Sequence, residues 1–244
     1  MLLNINYFFG LIKLREVYFE ILSNNDQFGS GVDIVRFVQC TATKDHIREN
    51  FLSTSISLEL ADREIFTNFK KGLRYDIRKE MEYVSRKDFV LHDPYKISSN
   101  DLNSLIENLN SFQVSRNLPR INKKKLKELT LQKKLAISFI KKYDEIINYH
   151  VYLFDEPMGK VRLLYSFNTK NVSVPVNKVH TWFDIKAFQE MGMSEYDFGG
   201  ISSFDQPNGI DKFKLSFGGT RDNYHTSYQA CSKLGRCVLV AKGL

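Results

Sequence analysis

Residues 196–201 read Tyr196-Asp197-Phe198-Gly199-Gly200-Ile201, and a loop later come Gly209-Ile210-Asp211-Lys212-Phe213-Lys214 and Phe217-Gly218-Gly219. An aromatic strand, Glu195–Ile201, thus runs into paired glycines, and a short helix around Gly209–Phe217 follows. Neither glycine carries a side chain. The pair therefore makes either a tight bend or a place where another molecule can approach the backbone closely. Downstream, Tyr224–Cys231 and Arg236–Lys242 read as two closing strands.

Working upstream, Asn177 can cap a helix running from Lys178 to Met191 and ended by Gly192. Before it lie three long strands, Leu135–Lys142, Ile146–Phe154 and Lys160–Phe167, with turn residues between them. A strand at Phe89–His92 precedes a helix capped near Ser99 or Asn100, and a basic helix follows Pro119. Ile65, Phe69, Leu73, Ile77 and Met81 recur every fourth residue, which predicts one amphipathic helix from Asp62 to Arg86. The first 60 residues read as strands, at Leu14–Leu22, Val32–Thr41 and Phe51–Leu60. The fold class is α/β (α+β), with a mixed central sheet flanked by helices.

The chain of 244 residues is 43% hydrophobic and 26% charged, the balance of a folded globular protein. No stretch approaches the ~18 apolar residues of a membrane span, so no membrane insertion is expected. Met1–Leu14 is apolar but lacks a positive start and a small-residue cleavage site, and reads as folded structure. Three scattered cysteines form neither a disulfide framework nor a zinc site, which fits a cytoplasmic location without metal. The net charge is +7, and Arg120–Lys134 holds seven cations against one acid, Glu128. That block is either a solvated helix face or a contact for a phosphate-rich ligand such as a coenzyme, nucleotide or tRNA.

The element order, together with the "YDFGGI … GI–FK–FGG" run and Arg74-Tyr75-Asp76-Ile77-Arg78-Lys79, resembles the Fem-type branch of the GNAT acyltransferases. That branch holds the peptidoglycan-bridge aminoacyltransferases and their smaller relatives. The resemblance implies a complete GNAT domain over residues 87–244. A truncated GNAT-like unit, with a long connecting helix, would occupy 1–86. The chain lacks the helical arm of the tRNA-using bridge enzymes and is similar to short sugar N-acyltransferases of surface-polysaccharide pathways. Such enzymes move a short acyl group, acetyl or 3-hydroxybutyryl, from acyl-CoA as co-substrate to the amine of a nucleotide-linked amino sugar. A dTDP-3-amino-3,6-dideoxyhexose is one example. The alternatives are an aminoacyl-tRNA-dependent aminoacyltransferase and a degenerate GNAT module that only binds RNA or a partner.

The resemblance also implies a site. Strands Lys160–Phe167 and Glu195–Ile201 would splay apart so that a pantetheine arm bonds like an added strand. Ser166, Phe167, Asn168, Lys170, Gly199 and Gly200 would then hold the cofactor. Proton handling falls to His180 or Asp197, and Lys214 would stabilise the oxyanion. Each also has a plainer role: a second-layer histidine, a loop-bracing carboxylate, a helix-surface cation. Lys70, Arg74 and Arg78, spaced by four, suit a diphosphate or carboxylate, or simply solvent. With Tyr75 on the same helix, and Tyr149, Tyr152 and Tyr165 on the central strands, they complete the expected substrate side. Core packing is the other use of such tyrosines.

Overall fold

The computed structural model describes residues 1–7, 10–18, 28–40, 47–169 and 175–243. Lys170, an expected cofactor contact, lies outside the described residues. The chain divides into two compact units, residues 1–53 with 222–244, and residues 54–221. This division differs from the 1–86 and 87–244 boundary expected from sequence.

In the first unit, β1 (Leu2–Tyr7) pairs antiparallel with β2 (Ile12–Tyr18), and β2 pairs parallel with β3 (Ile34–Cys40). Alternation sends Leu3 and Ile5 inward. Val17, Val35, Phe37 and Cys40 form a small core with Phe28 edge-on to Phe37.

The second unit begins within β4 (Ile47–Ser57). The single helix expected over 62–86 is instead two, α1 (Asp62–Asn68) and α2 (Lys71–Met81), because Phe69 and Lys70 are extended. Tertiary packing overrides the periodicity here. Phe69 is buried edge-on to Trp182 and Phe217, and the Lys70 N–H donates to Ser216 O at 2.8 Å. Then follow β5 (Phe89–His92), α3 (Ser99–Ser115), α4 (Lys123–Leu131), β6 (Leu135–Lys142), β7 (Glu145–Asp155), β8 (Lys160–Asn168), α5 (Asn177–Glu190), β9 (Glu195–Asp197) and α6 (Gly209–Leu215). The sheet order is β4-β9-β8-β7-β6-β5, mixed because β8 and β9 run parallel while the other pairs are antiparallel.

Period-two alternation on β7 assigns its two faces. His150 meets α5 at Asp184, and Tyr149 meets α3 at Ser104. The core lies under α5, where Leu73, Ile77, Phe183 and Phe188 pack with Tyr152, Phe154, Val161, Tyr196 and Phe198. Helix α5 is buried on nearly every side.

The chain then returns to the first unit through β10 (Thr220–Ala230), antiparallel to β3, and ends in α7 (Lys233–Ala241). That last segment was expected as a strand, Arg236–Lys242, from its β-branched residues. Its start is the reason it is a helix: Ser232 Oγ accepts the Gly235 N–H at 3.0 Å and donates to Asp33 at 2.6 Å. A Cβ on Gly235 would lie 2.0 Å from Asp33 O, so only glycine allows this approach. No helix among the described residues is long and apolar enough to cross a membrane.

Candidate active site

β8 and β9 share three rungs, Lys160–Glu195, Val161–Tyr196 and Arg162–Asp197. The continuous ladder covers these three rungs, and past them Ile201 makes an isolated β-bridge. β9 ends at Asp197, short of the Ile201 expected from sequence, while β8 runs on to Asn168. The turn is built by Asp197 and Gly199: the Asp197 carboxylate accepts the Gly199 N–H at 2.6 Å, as acidic turn residues do. Gly199 has φ +72°, and a Cβ there would lie 2.7 Å from Leu163 O. A glycine is thus required for backbone conformation and for closeness to β8.

Helix α6 brings Lys214 to this turn, where its Nζ donates to Gly200 O at 2.6 Å. The helix is fixed by Asn208, whose Oδ1 accepts the N–H groups of Ile210 and Asp211 at 2.8 and 2.9 Å. The buried Asp211 carboxylate in turn takes the Asn208 and Ser202 N–H groups and the Ser202 hydroxyl, tying loop to helix. Burial lowers the Lys214 pKa to about 8; Arg162 adds to this, while the carboxylates of Asp197 and Asp211 oppose it. An ammonium beside a strand opening can donate to a developing oxyanion.

His180 is not at this opening. It is fully buried between α5 and the sheet, stacked on His150 with centroids 3.8 Å apart. Asn148 Nδ2 donates to Phe167 O and Asn168 Oδ1, so its Oδ1 faces His180 Nδ1, which carries the hydrogen. His180 Nε2 then accepts from Ser138 at 2.8 Å. Burial, and next His150, hold His180 well below the usual histidine pKa. Below it, His150 bridges Asp184 Oδ2 at 2.6 Å and Asn177 Oδ1 at 2.6 Å, and Asn177 also accepts the Ser166 hydroxyl at 2.7 Å. Tyr152, expected at the substrate, is instead a buried member of this network: it donates to Asp184 at 2.7 Å and meets Tyr196 at 3.0 Å. Asp184 Oδ1 is buried without a hydrogen-bond partner. His150, His180 and Asp184 have the chemistry of metal ligands and their ligand atoms lie within 4.8 Å of one another. Stacked rings, however, keep their in-plane lone pairs in two parallel planes, which do not meet at one centre.

On α2, the expected stripe splits. Arg74 donates to Thr67 O and Phe69 O at 2.6 and 2.5 Å, bracing the α1–α2 break. Arg78 lies over the Phe66 ring with an exposed side, and Lys70 and Tyr75 are exposed. The group that sequence reading missed is Glu80. Its Oε2 accepts the N–H groups of Lys178 and Val179 at 3.1 and 2.9 Å, in the first turn of α5, while Lys178 Nζ reaches Asp76 at 2.8 Å. An acid of the protein itself thus sits where a helix N-terminus would receive an anion. A signal existed: Glu80 falls at the spacing of Leu73 and Ile77, a carboxylate on the apolar stripe.

Tyr149 stacks on Phe167 at 5.2 Å and 14°, both buried, with Tyr149 OH 3.5 Å from Ser104. Asn168 is exposed and Tyr165 and Ser166 are half-buried along β8 beyond the last rung. The structure thus gathers Asp197, Gly199, Gly200 and Lys214 at one turn. It sets Ser166 and Asn168 further along β8, and His180 and Tyr152 apart in the core.

No family model and no curated protein matches the sequence. Solved structures do. FemX is similar at a TM-score of 0.63 and 10% identity, over 93% of this chain and 83% of FemX. The C-terminal domain of a putative lysylphosphatidylglycerol synthetase from Agrobacterium fabrum has a TM-score of 0.57 at 10% identity, covering 94% and 81% of the two chains. L-PGS from Bacillus licheniformis has 0.56 at 14%, covering 94% and 82%. At such identities the likeness is one of fold. The chain shares the fold of these three proteins.

Proposed function

We propose that the chain is an N-acyltransferase, with the reacting carbonyl at the β8–β9 opening beside Lys214. The observation that carries this reading is the short three-rung ladder ending at Arg162–Asp197, with the Lys214 ammonium held on Gly200 O beside it. β8 runs on to Asn168 past these rungs, and an extended donor arm would lie along it in the manner of an added strand. An incoming neutral amine forms the new C–N bond, the C–S or C–O bond of the donor breaks, and the amine proton leaves to water. Lys214 donates to the tetrahedral oxyanion. Asp197 holds the Gly199 turn that shapes the mouth.

For the donor and acceptor, the proposal keeps acyl-CoA and the amine of a nucleotide-linked amino sugar, with exposed Lys70 and Arg78 as cations for a diphosphate. A second reading, an aminoacyl-tRNA donor, is favoured by Glu80. The two first-turn N–H groups of α5 that could take a coenzyme pyrophosphate already bind that carboxylate. The test sets acetyl-CoA and 3-hydroxybutyryl-CoA against aminoacyl-tRNA, each offered with dTDP-3-amino-3,6-dideoxyhexoses and other nucleotide-linked amino sugars. Thiol release or label transfer with an amine acceptor supports acyl transfer and identifies the donor. Transfer from neither donor overturns the proposal.

A further inference from the structure

A second concave feature lies away from the strand opening. On the sheet face opposite α5, a groove of about 780 Å³ runs between α3 and the start of β7, ending at Asn168, the last residue of β8, and Thr169 just past it. That volume falls in the roughly 300–1,000 Å³ range of small-molecule sites. Helix α3 contributes Ser104, Asn108, Ser111 and Ser115, spaced by four, three and four, so one face of it is lined with short uncharged polar groups.

Their hydrogen bonds decide what they offer. Asn108 Nδ2 is spent on Ser104 O, the Ser115 hydroxyl on Phe112 O, and the Thr169 hydroxyl on Ile146 O. Asn168 Oδ1 is taken by Asn148, which leaves its Nδ2 as a donor. The groove thus presents Asn108 Oδ1, Ser115 Oγ and Thr169 Oγ1 as acceptors beside the Asn168 amide donor, a mixture matched by hydroxyl groups that both give and receive. Phe112, tilted on Phe167 at 5.5 Å, adds an aromatic wall for C–H surface. The lining holds no surplus of cations for a phosphate: Arg116 is offset by Glu145, and Asp144 is paired with Lys141 at 3.1 Å.

We propose that this groove is a saccharide-binding site for sugars that carry no phosphate. The inference goes beyond acyl transfer and does not depend on it, since its test reads binding without turnover. Saturation-transfer NMR and titration of the full chain use glucose, glucosamine and glucose 6-phosphate as probes. Expected are saturation transfer to glucose and glucosamine, and binding of glucose 6-phosphate no tighter than that of glucose. Asn108→Ala removes an acceptor and Ser111→Trp fills the groove from an exposed position; each should weaken glucose binding about tenfold or more. Thermal melting of both variants confirms that they are folded. Absence of transfer to both unphosphorylated sugars, wild-type binding by Ser111→Trp, or tighter binding of glucose 6-phosphate than of glucose would each overturn it.

Discussion

Glu80 on α2 and Val179 on α5, 99 residues apart in sequence, meet through a 2.9 Å bond from the Val179 N–H to the Glu80 carboxylate. The contact joins two helices and neutralises part of the α5 dipole. Burial raises the Glu80 pKa from 4.5 to about 7, against the pull of the two N–H donors and Lys178. Because the folded value lies above the unfolded one, the cost of the charge is absent below about pH 4.5. It grows through the window and is complete above about 7. We therefore expect Glu80→Gln to gain stability on wild type as pH rises from 4.5 to 8, by up to about 3 kcal/mol. Urea melts across that range measure it, and a difference independent of pH would refute the assignment.

Gly199→Ala should cost about 1–3 kcal/mol, since it places a Cβ on a left-handed residue and against a backbone oxygen that cannot move aside. The drop is read by thermal melting, and acyl transfer should fall with it because the turn defines the opening.

Lys214→Met separates chemistry from folding. Removing the ammonium should lower kcat for acyl transfer about 100-fold. Stability at pH 7 should hold or rise, because the folded pKa of about 8 lies below that of a free lysine and the buried charge is a cost below it. For wild type, the part of the rate that needs a charged Lys214 should decline as pH rises through about 8. A flat profile through that range, with a fully active methionine variant, would remove Lys214 from the site.

Asp184→Ala removes the buried acceptor shared by His150 and Tyr152. A loss of about 3–5 kcal/mol is expected, the cost of splitting a buried pair. Chemical denaturation reports it; a change under 1 kcal/mol would mean that the network is not held by this carboxylate.

The larger unit was largely legible in sequence. β6, β7, β8 and α5 stand within a residue or two of where alternation and capping put them, because each has a strong period and marked turns. Two readings failed where tertiary contacts override local signals. The stripe from Ile65 to Met81 breaks at Phe69, which turns inward toward Trp182. The apolar tail after Ser232 coils because a hydroxyl cap and the Asp33 backbone claim it. For the site, the motif singled out residues that the structure brings to one turn, Asp197, Gly199 and Lys214. Local spacing gave no means to tell that His180 and Tyr152 face inward, since burial there is set by strands and a helix far apart in sequence. Glu80 and the His180–Asp184 pair were readable as polar residues on apolar faces, but their partners were not.

The shortness of β9 has an engineering consequence. With only three rungs joining it to β8, new residues inserted between Phe204 and Pro207, past the Ile201 bridge, would extend the rim of the mouth without severing main-chain pairing in the sheet. Grafted loops at that point offer a route to altered acceptor choice that leaves the scaffold's folding untouched.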